Sequence, residues 1–109
     1  MCGYCRMAIS QKQFAAEVLD SDGNPVKFDD IGCMLRYLAS RQQKPAAVFV
    51  VDYETRQWNE AGRSFFVRSS KISTPMAGGL LAFSDRSRAI TAAGDLAGAV
   101  QSFAELSIQ

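Results

Sequence analysis

Two places in the chain repeat one local grammar. Phe28-Asp-Asp-Ile31 and Phe83-Ser-Asp-Arg86 each set an acidic residue between the end of an apolar strand and the start of a helical pattern. An Asp at such a junction caps the first-turn N–H groups that a helix leaves unpaired. Before the first junction lie Phe14-Ala-Ala-Glu-Val-Leu19, the turn formers Asp20-Ser-Asp-Gly-Asn-Pro25, and the alternating Val26-Lys-Phe28. That order predicts a hairpin. After the junction, Ile31, Met34, Leu35 and Leu38 recur at helical spacing, predicting a helix to about residue 42. Pro45 then leads into the apolar run Ala46-Ala-Val-Phe-Val-Val51, which suits a central strand buried on both faces.

The same succession follows again. A strand through Gln57-Trp58 precedes one over residues 64–68, and a Ser-, Thr-, Pro- and Gly-rich loop over residues 69–79 carries Met76. Leu80-Leu-Ala-Phe83 reads as a strand. The helix behind the second junction should turn Ala89, Ile90 and Ala93 inward, with Gly94 and Gly98 bracketing its end. Residues 99–103 predict a last strand, and 104–109 a tail. The reading is an α+β fold, a tandem pair of ββαβ units in one compact domain. The first unit covers residues 1–53 and the second 54–109.

Against this scaffold stands the segment Met1-Cys-Gly-Tyr-Cys-Arg-Met7, which gathers soft donors into a C-x-x-C and a C-x-M spacing. Thiolate and thioether ligands favour Cu(I) over harder ions. The matching region of the second unit holds Met76, in a loop of small residues whose flanking Gly and Pro shape the backbone path. Cys33 lies one position off the apolar stripe of the first helix and is an outside candidate for a further sulfur. Packing is the competing account of each of these side chains, since methionine and free cysteine are common in cores.

Several chemistries are excluded or weakened. The 109 residues contain no histidine, which removes histidine acid–base catalysis and Ser-His or Cys-His nucleophiles. With 12 basic and 11 acidic residues the formal net charge is +1, which recommends no nucleic-acid partner. Structural zinc takes four Cys or His ligands, and three cysteines fall short unless Asp29 or Asp30 completes the set. Cys2 and Cys5 also fit a thiol-based redox or metal-detoxification protein, although redox pairs normally open a helix. No catalytic group stands out, and no enzymatic activity is expected. The sequence opens at the cysteine pair without a signal peptide, which leaves either a cytoplasmic protein or one whose export segment has been removed.

Cys2-Gly-Tyr-Cys-Arg-Met-Ala-Ile9, Phe28-Asp-Asp-Ile-Gly-Cys-Met-Leu35, Val51-Asp-Tyr53 with Trp58, and residues 69–83 together resemble the NosL family. These are accessory proteins of nitrous oxide reductase, and the match runs in order to Gly98-Ala-Val-Gln-Ser-Phe103. The resemblance implies a Cu(I) chaperone that delivers copper for the reductase's copper centres, its partner being the reductase or another copper-centre assembly protein. It implies two ββαβ units related to the N-terminal part of organomercurial lyase. It also implies a lipoprotein at the outer, periplasmic face of the cytoplasmic membrane, touching the membrane only through a lipid anchor that this chain lacks. The family's C-x-M ligands fall on Cys5 and Met7 and its loop methionine on Met76, with Cys2 as an extra candidate. The chain departs from some members in having no histidine near the site.

Overall fold

A computed structural model of the chain describes residues 12–41, 44–72 and 79–107. A short 3-10 turn, Lys12–Phe14, leads into strand β1 (Ala16–Leu19), then β2 (Pro25–Phe28), helix α1 (Ile31–Ala39) and β3 (Ala47–Val51). After β4 (Trp58–Glu60) and a 3-10 turn, Ala61–Arg63, come β5 (Phe65–Arg68), β6 (Leu80–Phe83), α2 (Arg86–Leu96), β7 (Ala99–Ser102) and α3 (Phe103–Ser107). The strands form two antiparallel sheets, ordered β2-β1-β3-β4 and β6-β5-β7. In each, the first strand of a hairpin is flanked by its hairpin partner and by the strand that returns after the helix. The fold is α+β. β4 lies beyond residue 53, where the second unit was expected to begin, and hydrogen-bonds to β3 at the edge of the first sheet.

The hairpin turn is built as its composition suggests. The Asp20 carboxylate accepts from the backbone N–H of Asp22 and Asn24, and Gly23 takes the left-handed φ of 85° that closes the turn. Both helix starts are capped by the Asp immediately before the helix. Asp30 accepts from Gly32 N at 2.6 Å and Asp85 from Ser87 N at 3.0 Å.

Register brings the core together. Ala16 stands opposite both Phe28 and Val50, and Val18 opposite Val26 and Val48, so one face of the β2-β1-β3 part of the first sheet is apolar. That face packs with Ile31, Cys33 and Met34 of α1, with Leu106 of α3, and with Phe66, Leu80 and Ala82 of the second sheet. The opposite face of the second sheet gives Val67, Leu81 and Phe83 to another cluster, against Ala89 and Ala93 of α2 and Phe14. The second sheet is therefore the middle layer.

This layering corrects three expectations. The strand with all residues buried is β6, although it lies at the edge of its sheet. β3 is central in its ladder, but only Val50 and Val51 are buried, whereas Ala47, Val48 and Phe49 are half-buried. Ile90 is 52% exposed, since the inward line of α2 runs through Ala89 and Ala93 and the next position turns toward solvent. Finally, residue 103, expected to end the last strand, and residues 104–107, expected as tail, are helix. Ser102 Oγ accepts from Glu105 N and the Glu105 carboxylate accepts from Ser102 N, a reciprocal capping box that starts α3 and seats Leu106 in the core.

Candidate functional site

Cys2, Cys5, Met7 and Met76, the proposed sulfur ligands, all lie outside the described residues. What the structure fixes is where the chain enters and leaves those segments. The N-terminal segment ends at the 3-10 turn, whose Phe14 is buried in the cluster with Val67, Leu81 and Phe83; Ile72, at the near end of the Met76 loop, packs against the same cluster. The loop's base is pinned by Ser69 N donating to Gly79 O at 3.1 Å and Ser69 Oγ donating to Leu96 O at 2.6 Å. Gly79 has a left-handed φ of 68°, and a Cβ there would sit 3.0 Å from Ser69 O, so glycine lets the two loop ends meet. Phe14 and Ile72, the described residues near the two sulfur-bearing segments, thus meet in one apolar cluster.

Cys33 lies within the described residues. It is fully buried on α1 among Ile31, Met34, Phe66 and Leu80, inside the main core. Asp29 and Asp30, considered for zinc, are also buried, and Asp30 is engaged as the α1 cap. Among the described residues no group of three or more His, Cys, Asp or Glu side chains could hold a metal ion. Among them, too, no helix is long and apolar enough to cross a membrane.

The most organised polar cluster among the described residues forms around Asp52. Asp52, at the end of β3, has a side chain 1% exposed. Its Oδ1 accepts from Glu54 N, Thr55 N and Arg88 Nη1, and its Oδ2 from Ser84 N, Ser84 Oγ and Arg88 Nη2, at 2.7–3.1 Å. Arg88 meets the carboxylate two-pronged and also donates to Glu54 at 3.0 Å. Burial works against the Asp52 charge, but the bonds from Arg88, Thr55 and Ser84 outweigh it and hold the carboxyl far below its ordinary range. The bonds to Asp52 and then Glu54 push the Arg88 guanidinium still higher, so it stays charged throughout. The signal available in the sequence was Asp52-Tyr-Glu-Thr, an Asx-type turn; the partner, Arg88, lies 36 residues on.

The family model NosL matches residues 1–109, the whole chain. The chain belongs to the NosL family. Its fold is similar to the crystal structure of the copper chaperone NosL from Shewanella denitrificans, with a TM-score of 0.86 at 18% identity, over 95% of this chain and 87% of that one. No curated protein sequence matches. The NosL family match covers both sulfur segments, and the fold likeness extends over the two-sheet scaffold.

Proposed function

We propose that this chain is a copper chaperone that carries Cu(I) on soft sulfur ligands and delivers it for assembly of the copper centres of nitrous oxide reductase. The observation that carries the reading is the NosL family match, which spans Cys2-Gly-Tyr-Cys-Arg-Met7 and the Met76 loop in one model. The solved relative with the same fold is a copper chaperone by its own description. Cys5, Met7 and Met76 are the ligands, with Cys2 as an additional thiolate; Cys33, enclosed in the core, is assigned to packing. Thiolate and thioether donors suit Cu(I), and two or three of them leave a coordination position for a ligand of the acceptor. The ion is cargo, handed on by ligand exchange, and no substrate bond is broken. In the cell the chain belongs on the outer face of the cytoplasmic membrane, as a lipoprotein whose acceptor is the reductase or a protein that assembles its centres.

The test is an anaerobic competition titration with Cu(I). One tightly bound ion per chain is expected, lost in a Cys5→Ser, Met7→Ala double variant. Undiminished binding in that variant would remove the ligand assignment. A redox protein would instead turn over a disulfide substrate in its metal-free, reduced state.

A further inference from the structure

The cluster around Asp52 does more than join two halves of the fold. The turn it organises reaches the end of the N-terminal segment from two sides. Tyr53, the next residue, donates its N–H to Ala82 O of β6 at 2.8 Å, and its ring lies 5.8 Å from Phe14 and 6.2 Å from Phe83 between centroids. Arg56, three residues further, holds the left-handed φ of 62° and donates to the Gln13 side chain at 3.2 Å. That conformation is costly for a residue with a side chain. It is held in place by Arg56 N donating to Asp52 O and by the Asp52 carboxylate capping the turn at Glu54 and Thr55.

Gln13 and Phe14 are thus gripped by a guanidinium and an aromatic ring whose own positions depend on one buried carboxylate. Apolar residues of similar volume would hold the two sheets together at least as well as a buried ion pair, whose desolvation consumes much of its attraction. What the ionic clamp adds is direction, because a two-pronged Arg–carboxylate pair has one geometry.

We infer that Asp52 and Arg88 are positioning residues for copper binding: through Tyr53 and Arg56 they seat Gln13-Phe14 against β6, and so fix where the sulfur-bearing N-terminal segment begins. The inference rests on the copper reading above. It gives that segment a defined root on a rigid element, which a site built from distant parts of the chain requires.

The experiment measures Cu(I) affinity by anaerobic competition for the wild type and three variants, with thermal unfolding of each metal-free protein alongside. Asp52→Asn removes the clamp's charge. Tyr53→Leu removes the ring at a surface position and leaves the clamp, so it stays folded even if Asp52→Asn does not. Leu106→Ala weakens the main core, away from the Phe14 cluster. Loss of affinity by about tenfold or more is expected in Tyr53→Leu, and in Asp52→Asn where folded, the scale seen when the support behind metal ligands is removed. Leu106→Ala should bind as the wild type does despite its lower melting temperature. Wild-type affinity in Tyr53→Leu overturns the inference, and so does an equal loss in Leu106→Ala, which would mark a general stability effect. Failure of the wild type itself to bind Cu(I) removes the chaperone reading, and this inference with it.

Discussion

Replacing Asp52 with Asn is the sharpest probe of the scaffold, because the consequence can be worked out atom by atom. The Asn oxygen can still cap Glu54 N and Thr55 N. Its amide nitrogen, in place of Oδ2, then faces Ser84 N at 2.7 Å and Arg88 Nη2 at 2.9 Å, so donors confront donors. Arg88 also loses its anion, although its 30% exposed side chain retains some water. Breaking a buried pair by removing one partner costs about 3–5 kcal/mol. The remaining hydration of Arg88 puts the expected loss near the lower end, about 3 kcal/mol. With a urea dependence of about 1–3 kcal/mol per molar, the unfolding midpoint should fall by about 1–3 M at neutral pH with the slope unchanged. The pH dependence supplies a second arm. A carboxyl whose folded pKa is depressed contributes its full stabilisation above the unfolded value, about 3.9, and loses it as pH falls toward the folded one. The gap between wild type and Asp52→Asn should therefore be flat from pH 8 to about 5. Below about pH 4 it should narrow by roughly 1.4 kcal/mol per unit. A midpoint change worth under about 1 kcal/mol, or a gap that widens in acid, would refute the reasoning.

Gly98 passes so close to β5 that an added Cβ would meet Arg68 O at 2.5 Å, so Gly98→Ala should cost about 1–3 kcal/mol in chemical denaturation. Stripping copper with a strong Cu(I) chelator should leave the melting temperature of the scaffold within a few degrees of a never-loaded sample. Unfolding on chelation, seen by far-ultraviolet circular dichroism, would instead indicate a domain that depends on metal for its fold.

The features legible in the sequence were those with short-range causes. The Asp20 to Pro25 turn, the Asp30 and Asp85 caps and the helical spacing of Ile31 and Met34 each depend on neighbours within a few residues. α3 had such a cause too, in Ser102-Phe-Ala-Glu105, and was passed over because a five-residue helix has too few turns to show periodicity. The burial of β6 on both faces, the exposure of Ile90 and the capture of Asp52 by Arg88 depend on which layer lies above which, and an apolar run does not encode that. An unbroken run such as Leu80-Leu-Ala-Phe83 reports that both faces are covered, not that both edges are paired. At the site, the sulfur residue types were plain from the sequence, whereas the convergence of Phe14 and Ile72 on one cluster emerges only on folding.

That convergence bears on how a carrier separates stability from exchange. A side chain that must let go of its cargo cannot also be a fixed member of the core, because each release would then cost folding free energy. Among the described residues two clusters form the core: the first sheet with α1 and α3 against the second sheet, and the second sheet with α2. Cys33, the cysteine among the described residues, is buried in the core, and we assign it to packing and not to exchange. The Asp52–Arg88 clamp sits at the boundary between the two roles. Asp52 is buried, and through Arg56 and Tyr53 the clamp reaches Gln13 and Phe14, which follow the N-terminal sulfur segment in the chain.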